Sequence, residues 1–512
     1  MTRRSAILAC CTVAACAAAL LYLSTTRYDF AYDDPSVVLR HPLVTGEAWR
    51  AIATSPYHVG SDVRVQTGAY RPLTIASYAA NHAVSGESPW SYHLVNVLLH
   101  ALAAALVVVF AVELGLTPGA ALAGALVFAV HPVHVEAVAN VAGRAELIST
   151  VLALLSLVAY ARARLTAFAL LLGAALFAKE NTVAILGVIA LWEAVRPAPH
   201  GGGGARARLR AAAKPLAAAA VPIAAYLAAR AAVLGGITLA PGSVTSIENP
   251  VLGLPPAAHA ATVLAVFGRA ASLILTPVRL SPDYGYAEIA PHTSFLEPGP
   301  LVGGALLLGL LLLIASCWRR APRVAFLVGS ALATYAIVSN AFVIIGTVLG
   351  DRLMYLPSVF ACILFGLAAS AAAARVGQRA AAVGVGVVVV ALAGRSATYV
   401  AAWRNDATLF EYAARVAPRS VRALGGWGGE LAAQGRLEEA RGVLDRAVAI
   451  APDFIPNRLN RGAVALSTGD LEAAATDAGH VLALEPGNAL AKLQLAAVAR
   501  RRATPGLKGG GS

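Results

Sequence analysis

Residues 88–112 read SPWSYHLVNVLLHALAAALVVVFAV, twenty-five positions without one Asp, Glu, Lys or Arg. At 1.5 Å per residue such a helix is long enough to cross a hydrocarbon core of about 30 Å. Residues 5–26, 298–318, 324–350 and 353–374 are free of charge in the same way. The 512-residue chain is 58% hydrophobic and 13% charged, where soluble domains carry roughly 25% charged residues. A single water-soluble globule could not hide that apolar surface, so the sequence predicts a polytopic membrane protein.

The formal net charge of +13 would suggest nucleic acid as the partner of a soluble protein. In a membrane protein, short Lys- and Arg-bearing loops report orientation instead, and no nucleic-acid partner is expected. Cys10, Cys11, Cys16, Cys317 and Cys362 all fall in apolar runs, where they act as small hydrophobes and not as a disulfide framework. The N-terminal run after Arg3 and Arg4 reads as an uncleaved first span that starts in the cytoplasm. Residues 25–90 form a long polar loop containing Asp29, Asp33, Asp34, Glu47, Asp62, Arg64, Arg71 and Glu87, placed outside the cytoplasm. Further spans are expected near 93–112, 118–138, 146–161, 166–178, 181–195, 215–234, 258–277, 299–317, 324–347, 353–374 and 380–400. The basic connections around Arg162 and Arg164, 196–214, 318–323 and Arg375 to Arg379 are assigned to the cytoplasm. Those assignments require an odd number of crossings between 215 and 298, so about eleven of the twelve candidates cross.

From Arg395 onward 26 of 118 residues are charged, against 41 of the preceding 394. A water-soluble domain begins there. Pro418, Pro452 and Pro486 stand 34 residues apart, and the same step relates Gly435 to Gly469, Leu437 to Leu471, Ala440 to Ala474 and Phe410 to Leu444. That period, with small residues inside helix pairs and a proline closing each, is the tetratricopeptide pattern. The register makes Asp406 to Val416 the second helix of a degenerate first unit, and Asn488 to Arg502 an unfinished last one. The predicted organisation is a membrane domain over 1–400, a repeat domain over 401–503 and a flexible tail over 504–512. The fold class is all-α, a polytopic helical domain followed by an α-solenoid.

Three groups of residues can carry chemistry. Just beyond the first span, Asp33 and Asp34 stand together among Tyr28, Phe30 and Tyr32. Low dielectric and like charge raise carboxylate pKa values and suit a general base; equally, Asp34 before Pro35 suits a helix cap. After the 118–138 segment come His131, His134, Glu136, Asn140, Arg144 and Glu146, readable as metal ligands, a self-satisfied polar cluster or a substrate site. The HExxH order is absent and no third ligand is evident, so no metal is expected. Finally, Arg71, Lys179 with Glu180, and Arg352 with Tyr355 place cations at membrane boundaries on one side. Each alone could be an interfacial anchor; together they could hold a phosphodiester. The glycines at 201–204 precede no GK[ST] and read as a linker.

In this order, the pieces resemble the transmembrane and tetratricopeptide-repeat protein family, itself similar to the integral-membrane glycosyltransferases of the GT-C class. The stretches that carry the resemblance are Tyr32-Asp33-Asp34, Tyr70 to Thr74, Tyr92 to His100, Phe128 to Ala139, Gly143 to Leu147, Ala178 to Glu180 and Arg352 to Ser358. The resemblance implies an O-glycosyltransferase moving mannose or a similar sugar from a polyprenyl-phosphate donor to Ser or Thr of proteins outside the cytoplasm. It also implies that the acidic pair holds the catalytic base. With two clear and two partial repeats, the chain has fewer than long members of that family.

The residues fit such chemistry. Asp33 would accept the hydroxyl proton and Asp34 would orient the acceptor or the base, with inversion by direct displacement. Arg71, Arg144, Lys179 and Arg352 would stabilise the departing phosphate, with His131 and His134 as further hydrogen-bond donors. Glu136, Glu146, Glu180 and Tyr355 are the candidates for binding substrate. The expected partners are the polyprenyl-phosphate sugar, membrane lipid and an acceptor polypeptide on the repeats; no cofactor is expected. The alternative is a non-enzymatic membrane-anchored repeat scaffold for envelope or secretory assembly. A transporter fits less well because the ionisable residues gather at one membrane face. The short repeat array and Ala-rich spans favour a bacterial plasma membrane over an endoplasmic reticulum.

Overall fold

The computed structural model describes residues 2–46, 49–59, 68–195, 205–237 and 244–503. Glu47, Asp62, Arg64, the glycines at 201–204 and the tail 504–512 lie outside the described residues. The fold is helical, with no strand among the described residues. It divides into two compact units: a larger one of residues 1–245, 251–280 and 291–405, and a smaller one of 246–250, 281–290 and 406–512.

Among the described residues of the larger unit, eight helices are long and apolar enough to cross a membrane: Arg3–Arg27, Trp90–Glu113, Val141–Ala161, Ala212–Leu234, Pro256–Leu275, Pro298–Arg320, Asp351–Val376 and Gln378–Ala402. A bent pair, Pro118–Val130 and Pro132–Ala139, makes a ninth. The chain is thus a multi-pass membrane protein. The segments expected at 166–178, 181–195 and 324–347 instead become helices of 14, 11 and 15 residues, Leu165–Ala178, Ile185–Val195 and Pro322–Ala336. At roughly 1.5 Å per residue none of the three spans a full core alone. Asn340 shows why the third one stops. At φ 62°, its amide donates to the Thr347 and Val348 carbonyls and its Oδ1 accepts from the Ile345 N–H, so side-chain hydrogen bonds replace helical ones.

Proline sits in the first turn of the helices that begin at 72, 118, 256, 298 and 322, where its missing N–H costs no hydrogen bond. Pro132, in contrast, bends an apolar segment by 51° and leaves the carbonyls of the preceding turn without helical partners. In lipid such groups must be satisfied internally. His134 Nδ1 takes the Phe128 carbonyl at 2.8 Å, His100 Nε2 the Ala129 carbonyl at 3.0 Å, and Ser396 Oγ the Val130 carbonyl at 2.7 Å. The same helix packs against Asp351–Val376 at very short range. A methyl on Gly366 would lie 2.2 Å from the Ala120 carbonyl oxygen, and one on Gly124 2.6 Å from that of Cys362.

Residues 28–46 and 49–59 carry a small apolar layer, Val37, Val38, Leu43, Val44, Ile52 and Tyr57, packed against Ile75 and Tyr78 of Pro72–Ser85 and against Tyr92 and Val141. These described parts of the first loop are thereby fixed to the ends of the Trp90–Glu113 and Val141–Ala161 spans. At the other ends of those spans, Arg162 pairs with Glu113 at 2.7 Å.

The smaller unit stacks six helices, Asp406–Val416, Val421–Ala433, Leu437–Ile450, Ile455–Thr468, Leu471–Leu484 and Ala489–Ala503. Their order matches the register read from the prolines, including the half-units at both ends. Gly435 and Gly469, 34 residues apart, turn between helices at φ 77° and 84°, a left-handed conformation that favours glycine. Asp477, 1% exposed, accepts from both Arg458 and Arg461 at 2.7–2.8 Å. The unit also contains residues 246–250 and 281–290 from the connections beside Pro256–Leu275, since Ser420, which caps Val421–Ala433, donates to Asp283 at 2.6 Å. Sequence reading had placed both segments in the membrane domain.

Candidate active site

Loop 1 leaves the first span and reverses at Tyr32, whose φ is +60°. Asp33 follows, at the start of a single helical turn, Asp34–Val37, without capping it through its side chain. Instead its carboxylate, one-third exposed, accepts from Arg352 Nη1 at 3.3 Å. The same Nη1 lies 3.3 Å from Glu136, which is 2% exposed and also accepts the Arg352 backbone N–H at 2.8 Å. A buried carboxylate on the broken helix thus holds an arginine from 216 positions away in sequence, and the arginine in turn holds Asp33.

Beside this trio lie two further ion pairs. Lys179 Nζ donates to Glu146, 1% exposed, whose other oxygen accepts from Asn181 at 3.1 Å. Arg71 makes a two-pronged contact with Glu180 at 2.5 and 2.9 Å and lies over the Tyr57 ring, 5.1 Å from its centroid. Withdrawal from water works to raise the Glu180 carboxyl, but the charge and hydrogen bonds of Arg71 outweigh it and hold the group down at about 2. The neighbouring His58 is pushed to about 4, first by burial and then by Arg71, so its imidazole is neutral at pH 7. Arg352 also feels the charge of Glu146, and Lys179 that of Arg71, so the pairs form one electrostatic cluster. It holds four carboxylates, Asp33, Glu136, Glu146 and Glu180, and three cations, Arg71, Lys179 and Arg352. No group of three or more His, Cys, Asp or Glu residues placed to hold a metal occurs among the described residues.

Other sequence candidates have different surroundings. Asp34 is fully buried, and its oxygens accept backbone N–H groups of Ala31 at 3.2 Å and Ala142 at 2.7 Å. Burial raises its carboxyl to about 7 against the pull of those N–H groups. It staples loop 1 to the 140–143 turn and caps no helix. Arg144 is also fully buried: it donates to Asn96, Asn81 and the Tyr92 carbonyl at 2.6–2.9 Å and lies over Tyr78 at 4.7 Å. Its donors are engaged by neutral partners, so it stands apart from the cations paired with carboxylates. His131 bonds the Ile274 carbonyl, His134 the Phe128 carbonyl and Ser358, and Tyr355 is buried on His100. These three side chains serve helix ends and core, not a surface that a phosphate could reach.

Tyr57 and His58 went unmarked in the sequence, because nothing in the spacing of a polar loop says which of its aromatic groups will lie against Arg71. Next to the cluster an apolar groove of about 430 Å³ runs between Pro72–Ser85 and two spans, lined by Leu73, Ala76, Ser77, Leu99, Ile148, Val151 and Leu152.

No family model matches the chain, and no solved structure matches it significantly. Among curated proteins it is 28% identical over 480 residues to the protein O-mannosyl-transferase TMTC4 of Mus musculus, covering 80% of this chain and 62% of that protein. It is 36% identical over 203 residues to the protein O-mannosyl-transferase Tmtc2 of Drosophila melanogaster, 36% of this chain and 21% of that protein. With the human TMTC2 it shares 41% identity over 148 residues, 27% of this chain and 17% of that protein. The chain therefore spans about a fifth of the length of the Tmtc2 relatives and 62% of TMTC4. The resemblance carried by the loop 1 aspartates, the broken-helix motif and the 34-residue repeats is borne out: this chain is similar, over four-fifths of its length, to the protein O-mannosyl-transferases of the transmembrane and tetratricopeptide-repeat family.

Proposed function

We propose that the protein is a membrane O-mannosyltransferase of the GT-C kind, transferring mannose from a polyprenyl-phosphate donor to Ser or Thr of a polypeptide outside the cytoplasm. The observation that carries this reading is Asp33, partly exposed beyond the first span and tied at 3.3 Å to an arginine that a buried glutamate holds in place. The names of the relatives agree with it.

In the proposed reaction, Asp33 takes the proton of the acceptor hydroxyl while its oxygen bonds to the anomeric carbon and the bond from that carbon to the phosphate oxygen breaks. The electron pair leaves with polyprenyl phosphate, and attack from the opposite face inverts the anomeric centre. Arg352 is the cation nearest the base, and Arg71 and Lys179 stand beside it to meet the charge that grows on the leaving phosphate. Glu136 acts through Arg352 as a positioning residue. Glu146 and Glu180 keep Lys179 and Arg71 in place, and the donor phosphate competes with Glu180 for the Arg71 fork. Because the leaving group is already anionic, the chemistry requires no metal. The apolar groove beside the cluster suits the first part of the polyprenyl chain, and the repeats suit an extended acceptor. The Ala-rich spans favour a bacterial plasma membrane.

The test is purified full-length protein in lipid nanodiscs, given labelled polyprenyl-phosphate mannose and a mixed Ser/Thr peptide. Label on the peptide hydroxyls, released by an α-mannosidase or β-mannosidase according to the donor anomer, is the expected result. Absence of transfer with mannose, glucose and N-acetylglucosamine donors alike would leave the membrane-anchored scaffold as the reading.

A further inference from the structure

Tyr32 is one of four non-glycine residues with positive φ among the described residues, and it directly precedes Asp33. A bulky aromatic side chain in the left-handed region is a strained arrangement, which persists only where the surroundings impose it and which concentrates at functional sites. Asparagine or glycine would relieve that strain at a turn, yet the position carries a ring. The ring is half-buried and stands edge-on to Trp403, with centroids 6.4 Å apart at 85°. Trp403 is fully buried and leans in turn on Tyr399, whose hydroxyl donates to Asp351, the residue before Arg352. One aromatic stack therefore runs from the residue before Asp33 to the partner of the residue before Arg352, and Tyr32 at its end is only partly buried. The indole N–H of Trp403 has no hydrogen-bond partner, so this corner has an unmet polar group as well as an aromatic surface.

We propose that Tyr32 is the platform for the hexose of the donor, receiving an apolar C–H face of the pyranose ring and thereby setting the anomeric carbon in front of Asp33. This rests on the transferase reading above and adds a sugar-binding residue to it. The left-handed backbone at Tyr32 breaks the alternation that would send consecutive side chains of an extended segment to opposite faces, and so lets ring and carboxylate serve one sugar.

Tyr32→Phe, Tyr32→Leu and Tyr32→Gly test the proposal, each measured for donor KM, peptide KM, kcat and thermal midpoint in nanodiscs. Loss of an aromatic contact worth about one power of ten should raise the donor KM roughly tenfold in the Leu and Gly forms, leave the peptide KM in place, and affect the Phe form least. In Tyr32→Gly the relief of strain at φ 60° offsets the lost Trp403 contact, so its midpoint should stay close to the native one, whereas Tyr32→Leu keeps the strain and should melt lower. A structural role alone would instead lower the midpoint and both KM and kcat together. A second measurement is direct binding of polyprenyl-phosphate mannose against polyprenyl phosphate without sugar; the native protein should prefer the former and Tyr32→Leu should lose that preference. Native donor KM and native preference in Tyr32→Leu would overturn the proposal. If the native protein neither binds nor transfers any lipid-linked sugar, the transferase reading itself fails.

Discussion

Replacing Asp33 by Asn should separate catalysis from folding. The Asp33 carboxylate is one-third exposed and its ion pair with Arg352 is 3.3 Å long; pairs of that kind contribute about 0–1 kcal/mol to stability. The substitution keeps the shape and one acceptor oxygen, so the thermal midpoint should hardly move. Removing a general base typically costs 10²- to 10⁴-fold in rate, or about 2.7–5.4 kcal/mol of barrier at 1.36 kcal/mol per decade. Glu136→Gln should behave the other way. At 2% exposure Glu136 accepts the Arg352 backbone N–H and forms an ion pair with its guanidinium, and a glutamine oxygen can keep the backbone bond while its NH₂ faces the guanidinium. Losing a charge-assisted bond at a buried site costs about 1.5–3 kcal/mol, so this variant should melt lower while retaining more transfer than Asp33→Asn. Both quantities can be read on the same preparations, transfer with labelled donor and peptide, and folded fraction by size-exclusion after heating. Transfer at the native rate by well-folded Asp33→Asn would refute the assignment of the base, whatever Glu136→Gln does.

Asp34 makes stability depend on pH. Its carboxyl stands at about 7 in the fold against an ordinary 3.8, so the fold holds a proton that the unfolded chain releases, and stability falls as pH rises through that interval, by at most about 4 kcal/mol. Asp34→Asn cannot titrate, and its midpoint should vary less with pH from 4 to 7; superimposable curves would disprove the link. Arg144→Lys leaves acceptors among Asn81, Asn96 and Tyr92 without a donor, and two such losses cost about 2–4 kcal/mol. An unchanged midpoint with a raised donor KM would make Arg144 a phosphate ligand after all. Glu180→Gln removes the charged competitor of the donor phosphate at Arg71, and the donor KM should fall by roughly threefold to tenfold, as expected for about 1 kcal/mol; a rise would show that Glu180 is needed to hold Arg71 for the donor.

What the sequence determined follows from properties that do not depend on distant contacts. An uncharged run of twenty-five residues must be buried in lipid wherever its neighbours lie, and a 34-residue step of Pro, Gly and Ala sets a helical register by local geometry; both were legible, down to the half-unit at Asp406–Val416. The acidic pair in loop 1 and the cations at 71, 179 and 352 were legible too, as charges that a membrane boundary must explain. Tertiary structure decided which of them meet. Asp33 and Asp34 are neighbours in sequence, yet the reversal at Tyr32 sends one to Arg352 and buries the other on the Ala31 and Ala142 N–H groups. Arg144, His131 and His134 have the same residue types as a phosphate site, but Arg144 donates to amides, His131 bonds a carbonyl at the end of Pro256–Leu275, and His134 takes a carbonyl freed where the helix breaks at Pro132. A side chain's chemistry is written in the sequence; its partners depend on pairing across as many as 319 positions, which no local spacing encodes.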